Sequence, residues 1–518
     1  MSIARILMDA STAQPEKIAL ICDQRQTSYL SLQRHIAQVA GGLQALGVTH
    51  GQPVALLALN SDLYIESFLG ILWQGAVASP LNTRWSAAEI SYALHESNAE
   101  VIFIDQHFLP LLESLKHSCP QLKTVIYLGL DEQTVHLDFL HFKTWRDRSP
   151  YVETPASQMD DLAVILYTGG TTGRAKGVML SHQNFLSNAY ATFEMAHLRF
   201  NGTVLHVAPL FHVAGIAALI QTMIRQSTVI VIQSFQPLEV FKSIETYQVD
   251  EAFFVPTMLQ MLLNHPDISQ YSLGSLRTLI YAASAMDPNL LQHAMKTFAQ
   301  TDFIQFYGMT ELSPIVTILD IEQHKKQIKL RSVGYPTSQS QVKIIDQDGQ
   351  QLKPYQVGEI VVRGSHVMMG YWNKPQETAQ ALREGWMHTG DGGYLDEDGF
   401  LYIVDRIKDM IISGGENIYS IEVENALLKH PDILMCAVIG LPDPLWGEIV
   451  HAVIVLHPER IVENDALIQH CRTLIAPYKC PRSFEFRSAL PLSGAGKILK
   501  HVLRKEKLAA TQELQAKI

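Results

Sequence analysis

The sequence has no closely spaced cysteine pair. Its five cysteines, Cys22, Cys119, Cys436, Cys471 and Cys480, are scattered and odd in number. That pattern excludes a disulfide framework, suits a reducing compartment and leaves all five as small buried hydrophobes. There is no HExxH and no clustered Cys/His set, so a zinc site has no support; a GxSxG elbow and a GxGxxG fingerprint are also absent, which removes the elbow serine hydrolases and a nicotinamide site. The longest apolar runs, such as Val213 to Ile220, are far short of the ~20 residues of a membrane helix. Met1 to Ala10 has one arginine and a short apolar run, not the layout of a signal peptide. The formal charge of -11 argues against broad nucleic-acid binding. These absences lead to the expectation of a cytoplasmic protein with no integral membrane segment and no nucleic-acid partner.

What is present is ordinary core material in quantity: 518 residues, 47% hydrophobic and 18% charged. A chain of that length is expected to form two or more domains. Apolar runs at 54–59, 101–104, 162–166, 229–232 and 278–281 read as strands. Helical segments are expected at 27–46, 61–72, 86–96 and about 183–195. Such alternation predicts parallel sheets covered by helices. After about residue 333 the texture becomes short strands (342–345, 358–363, 400–404) with Asp-Gly turns at 348–349 and 398–399, a β-rich subdomain. From 420 a helix is expected with Ser420 as N-cap, followed by strands at 436–440 and 451–456 around a helix at 464–473. The expected architecture is a large α/β N-terminal domain, residues 1–405 with the β-rich part at about 333–405, and a small mobile α+β C-terminal domain, residues 406–518.

The most informative stretch follows the 162–166 strand: Tyr167-Thr168-Gly169-Gly170-Thr171-Thr172-Gly173-Arg174-Ala175-Lys176-Gly177. Its glycines bring bare N–H groups together into an anion-binding nest, three threonine hydroxyls add donors, and Arg174 and Lys176 add positive charge. The combination suits a polyphosphate. It is not a Walker loop, because Ala175 precedes the lysine and Gly177 follows it. A second group, Tyr307-Gly308-Met309-Thr310-Glu311, follows a strand at 302–306. It can put a ring against a purine, a hydroxyl on phosphate and a carboxylate on magnesium.

Together these motifs resemble the acyl-adenylate-forming superfamily of acyl- and aryl-CoA ligases, peptide-synthetase adenylation domains and luciferases. The family commonly has Ser where Gly169 stands and Pro where Ala175 stands. The resemblance runs from about Pro15 to Arg504. It implies that Thr168, Gly169, Gly170, Thr171, Thr172, Gly173 and Lys176 hold the phosphates. Ala283, Ser284, Tyr307, Gly308 and Met309 would line the nucleotide, Thr310 bind the AMP phosphate and Glu311 hold Mg2+. Asp391, in Thr389-Gly390-Asp391, would grip the ribose with help from Arg406. Lys497, in Ser493-Gly494-Ala495-Gly496-Lys497, would be the lysine that bridges carboxylate and α-phosphate.

The same resemblance makes Lys408 the hinge residue. It assigns Ser413, Gly414, Gly415, Trp446 and Lys479 to coenzyme A, and His212, Val213, Gly215 and Phe254 to the acyl pocket, with His212 as its gate. The implied activity is an ATP-dependent acyl-CoA ligase using a small-molecule carboxylic acid, ATP, Mg2+ and coenzyme A. A medium- or long-chain fatty acid is the expected substrate; the alternatives are an aryl acid, or an acyl-AMP ligase that loads a carrier protein. The sequence leaves room for a homodimer and for a peripheral position at a membrane.

Overall fold

Buried apolar runs become the central strands. In the computed structural model every residue of Pro53–Leu57, Val77–Pro80 and Val101–Ile104 is buried, as expected for parallel strands covered on both faces. The structure describes residues 2–129, 139–168, 175–284, 286–406, 409–413, 416–493 and 497–515. The candidates Gly169 to Gly173, Lys408, Gly414 and Gly415 lie outside the described residues, and Arg406 is described by its backbone alone.

The chain falls into two units. The first comprises Met1–Ala283, Leu290–Gln341 and Val362–Met387; the second comprises Ser284–Asn289, Val342–Val361 and His388–Ile518. Two sheets dominate the first unit. One carries, in spatial order, Tyr335–Pro336, Ile315–Leu319, Asp302–Gly308, Thr278–Ala282, Glu251–Phe254, Thr203–His206, Thr228–Val231, Ile18–Cys22 and Arg25–Ser28. Its six central strands are parallel, from Asp302–Gly308 to Ile18–Cys22. The other carries Gly370–Tyr371, Lys176–Ser181, Leu162–Thr168, Val77–Pro80, Pro53–Leu57, Val101–Ile104, Thr124–Tyr127 and Leu140–His141. Tyr167 and Ile165 from this second sheet belong to a core cluster with Leu57, Ile102, Ile104, Leu94 and Leu115. The strand that leads into the glycine- and threonine-rich stretch is thus anchored in the core.

Gln341–Ile345, Gly358–Arg363, Trp386–Leu395, Leu382–Arg383 and Leu401–Arg406 form a third sheet, the expected β-rich part. The C-terminal sheet pairs Ile433–Asp443 with Gly447–Leu456 antiparallel, and Ser483–Phe486 runs parallel to the latter. Helices Ser420–Leu427, Asn464–Arg472 and Lys500–Gln515 complete the C-terminal α+β part.

The parallel sheets carry antiparallel pairs at their margins, and two other expectations need correction in detail. Leu162–Thr168 pairs antiparallel with Lys176–Ser181, and Asp302–Gly308 with Ile315–Leu319. Short connections force this, since a parallel return needs a crossover of a dozen or more residues. The helix expected from Thr27 begins at Tyr29; Ser28 caps it, its hydroxyl accepting from the Ser31 N–H at 3.2 Å, and Thr27 stays in the strand Arg25–Ser28. Ser420 is not an N-cap. It is already helical, Tyr419 precedes the helix without a side-chain cap, and the Ser420 hydroxyl accepts from Lys500 Nζ.

Candidate active site

Ligands of open parallel sheets sit beyond the carboxyl ends of the strands. In the first sheet that edge collects the residues singled out from sequence. The strand Asp302–Gly308 ends on Tyr307 and Gly308, and Thr310 and Glu311 follow in a short 3-10 turn, Thr310–Leu312. The neighbouring strand Thr278–Ala282 leads into Ala283, which adopts φ 76. A left-handed alanine is uncommon and marks a backbone held by its surroundings. Gly308 is required by a close approach: a Cβ there would lie 1.7 Å from the Pro314 carbonyl oxygen, the same oxygen that accepts from the Met309 N–H at 3.0 Å. Gly308→Ala is therefore expected to cost about 1–3 kcal/mol of stability, as overpacking does. Thermal unfolding reads this directly, and an unchanged midpoint would contradict the close packing of this turn.

Glu311 is buried, 7% exposed. Its Oε1 accepts from the Tyr371 hydroxyl at 3.0 Å. The ring of Tyr371 also has Lys176 Nζ 5.0 Å from its centroid. The lysine of the first motif and the carboxylate of the second therefore meet on one aromatic side chain, while Gly169 to Arg174 lie outside the described residues. Thr168 and Lys176 are Cα partners at the mouth of the antiparallel pair, so the glycine-threonine stretch connects two adjacent strand ends.

Among the acyl-pocket candidates, His212 precedes the helix Val213–Ile224 and caps it: Nδ1 accepts from the Ala214 N–H at 3.2 Å. That bond requires a bare Nδ1, so the capping ring carries its proton on Nε2 when neutral. The loop before it is pinned by buried Asn60, which donates to the Ala208 carbonyl at 3.0 Å and accepts from the Leu210 N–H at 2.9 Å. Gly215 faces the Pro209 carbonyl oxygen, which a Cβ would approach to 2.2 Å. Val213 and Phe254 are buried. Phe254 closes the strand Glu251–Phe254, which is parallel to Thr203–His206, so both emerge at the same end of the sheet. Buried His206 sits there too, its pKa pushed down to about 4 by burial.

In the second unit, Thr389-Gly390-Asp391 is held by a network. The Thr389 hydroxyl donates to the Ile360 carbonyl at 2.7 Å and accepts from the Asp391 N–H at 3.0 Å. Glu359 accepts from the Gly390 N–H at 3.2 Å and contacts His388 Nδ1 at 2.8 Å. Gly390 has φ 70, in the region that favours glycine. Asp391 is buried and is the cross-strand partner of Arg406; the register thus brings together the two ribose candidates.

The described residues on either side of 494–496 pair with each other, through the Leu492↔Ile498 bridge, Ser493 N–H to the Lys497 carbonyl at 2.7 Å, and Lys497 N–H to Ser493 Oγ at 3.0 Å. Buried Ser413 pairs with Glu416 in an antiparallel ladder. Trp446 is half exposed with the Arg482 guanidinium 4.1 Å from its ring centroid. Lys479 is engaged with both oxygens of Glu422 at 2.8 Å; burial works against its charge, but the Glu422 carboxylate outweighs it and the ammonium pKa is raised. Ser284 is exposed.

Sequence reasoning missed Tyr371, Glu359 and Asn60. None of the three is marked by its sequence neighbours, because each meets its partners from far along the chain.

The family described as "AMP-binding enzyme" matches residues 7–372, and its C-terminal domain matches residues 422–497. The chain belongs to the AMP-binding enzyme family. Among curated members it is 38% identical over 479 residues to a feruloyl-CoA synthase of an Amycolatopsis species, covering 92% of this chain and 93% of that one. It is 34% identical to a long-chain-fatty-acid–CoA ligase of Bacillus subtilis (strain 168), covering 98% and 94%. A solved AMP-binding enzyme, the anthranilate CoA ligase AuaEII in complex with anthranoyl-AMP, superposes with a TM-score of 0.90 at 28% identity, covering 100% and 98%. The large α/β part with mainly parallel sheets and the small C-terminal part with an antiparallel sheet are the architecture expected of the family. No helix among the described residues is long and apolar enough to cross a membrane.

Proposed function

We propose that this chain is an AMP-forming acyl-CoA ligase. A carboxylate oxygen of the acid attacks the α-phosphorus of ATP, the α–β phosphoanhydride bond breaks, and pyrophosphate leaves with acyl-AMP formed. The thiol of coenzyme A, having given up its proton to solvent, then attacks the acyl carbon through sulfur, and AMP departs with the electron pair of the broken anhydride bond. The carrying observation is the strand-end cluster in which Lys176 and Glu311 share Tyr371, within a chain matched by the family over both its parts.

In this reading Thr168 to Gly173 and Lys176 receive the phosphates. Tyr307, Gly308, Met309, Ala283 and Ser284 line the nucleotide, and Thr310 holds the α-phosphate. Asp391 accepts from the ribose hydroxyls, with Arg406 beside it in register. Buried Glu311 and the hydroxyl of Thr310 offer the oxygen donors a hard divalent cation takes, so these residues fit Mg2+. When bound, the ion neutralises phosphate charge. Lys497 supplies the ammonium that stabilises charge growing at phosphorus. Lys408, at a boundary of 405–409, is the hinge between adenylation and thioester formation, and Ser413, Gly414, Gly415, Trp446 and Lys479 form the coenzyme A side. The enzyme works in the cytoplasm, and a fatty acid as substrate would bring it to the membrane periphery.

His212, Val213, Gly215 and Phe254 provide no charged anchor for an amino group, which favours an acid with an apolar body over an amino acid. A medium- or long-chain fatty acid is the first reading. An aryl acid is the second, favoured by the 38% identity to a feruloyl-CoA synthase. ATP–pyrophosphate exchange with a fatty, a hydroxycinnamic and an amino-acid series separates these. Exchange above background is expected with the fatty series; exchange confined to the hydroxycinnamic acids selects the second reading, and exchange driven only by amino acids contradicts both.

A further inference from the structure

Residues 365–374 form a strap that ties the two sheets of the first unit together at the candidate site. At one end the strap holds the Glu311 turn: Met368 N–H donates to the Glu311 carbonyl at 2.9 Å, and the Ser313 hydroxyl donates to the His366 carbonyl at 2.8 Å. At the other end it lies along the strand that leaves the phosphate loop. Met369 N–H reaches the Met179 carbonyl at 2.9 Å, Trp372 N–H reaches the Gly177 carbonyl at 2.7 Å, and Tyr371 pairs with Val178. Tyr371 N–H donates to Thr378 Oγ1 at 2.9 Å, and a Cβ on Gly370 would meet Thr378 Cγ2 at 2.8 Å. The backbone around Tyr371 is therefore over-determined and the direction of its side chain is set by both sheets.

That side chain is buried, with 8% exposure, and makes two contacts of different chemistry. Its hydroxyl donates to Glu311 Oε1 at 3.0 Å, which fixes the rotation of the carboxylate and so the direction of its second oxygen. Its ring face lies 5.0 Å from Lys176 Nζ, close enough for the ring quadrupole to hold the ammonium. We propose that Tyr371 is a positioning residue that sets two groups at once: the carboxylate that would take the metal of the nucleotide complex, through its hydroxyl, and the ammonium that would meet the phosphates, through its ring. The proposal rests on the ligase reading for what the two groups bind, and on the strap geometry for how they are held.

Two variants separate the two contacts. Tyr371→Phe keeps the ring and removes the hydroxyl; Tyr371→Leu removes both. ATP binding is measured by calorimetry on the full chain, first with EDTA and then across a Mg2+ titration. Outer partners of metal-binding groups typically contribute ~10–100-fold in metal affinity. Tyr371→Phe is thus expected to raise the half-saturating Mg2+ concentration about tenfold, with ATP affinity in EDTA within about twofold of wild type. Tyr371→Leu is expected to weaken ATP binding in EDTA as well, by several-fold. A merely structural tyrosine would move both readings together, or neither.

A Mg2+ titration of Tyr371→Phe that superimposes on wild type overturns the role of the hydroxyl. Equal EDTA affinities for the Phe and Leu variants overturn the role of the ring. Either result with a wild type that binds Mg-ATP leaves the ligase reading intact, whereas a wild type that binds no ATP under any condition removes that reading and this inference with it.

Discussion

Lys497→Ala is expected to slow adenylation at least ~10²-fold, the usual cost of removing one preorganised donor from a site of developing charge. Thioester formation from supplied acyl-AMP should stay within a few-fold of wild type. The asymmetry follows from the chemistry. Only the first half-reaction brings a carboxylate onto the α-phosphorus, so only there does negative charge grow on the oxygens of a phosphorus under attack. Lys497 is tied to Ser493 through its backbone N–H and carbonyl, so truncating the side chain leaves those two bonds in place. Single-turnover measurements of the two half-reactions decide the matter. Equal losses in both would deny Lys497 its assigned step.

The largest expected effect on stability lies elsewhere. Arg225 and Glu251 form a bidentate pair in the interior, with NH1–Oε2 at 2.5 Å and NH2–Oε1 at 2.6 Å, and side-chain exposures of 2% and 7%. Arg225 also donates to the Arg199 and Gln221 carbonyls at 3.1 and 3.2 Å. It follows the helix that His212 caps, and Glu251 opens the strand that ends on Phe254. Glu251→Ala leaves a guanidinium buried without its counter-charge, which typically costs about 3–5 kcal/mol. Arg225→Met combined with Glu251→Leu should recover most of that loss, because an apolar replacement of a buried pair is often neutral. The measurement is the first transition in urea unfolding. A single variant within about 1 kcal/mol of wild type would contradict the burial argument.

What could be read from the chain and what could not divide along a physical line. Features whose basis is local were legible: the strands whose apolar runs are buried on both faces, and the strand end after which Thr310 and Glu311 follow. Asp391 was singled out only through its sequence neighbours Thr389 and Gly390. Groups whose role comes from register were not. Tyr371 meets Glu311 from 60 positions away, and Glu359 reaches the Gly390 N–H from 31 positions away; neither distance leaves a trace in a single sequence. Ser420 shows the same limit from the other side. Its residue type and place suggested a helix cap, but Lys500, 80 positions away, engages its hydroxyl and the helix starts one position earlier. His212 was read as a pocket gate, and its ring is seen to cap the helix that follows it.

In this reading the activated acid passes to coenzyme A. The decisive measurement is AMP release from ATP and Mg2+ by the purified chain, with the acid that drives pyrophosphate exchange and with or without coenzyme A. Multiple turnovers that require both the acid and free coenzyme A, with an acyl-CoA thioester recovered in equal amount to AMP, are the predicted result. Acid-dependent adenylate formation that proceeds identically with and without coenzyme A, and yields no thioester, would contradict the ligase and point instead to an enzyme that hands its adenylate to another acceptor.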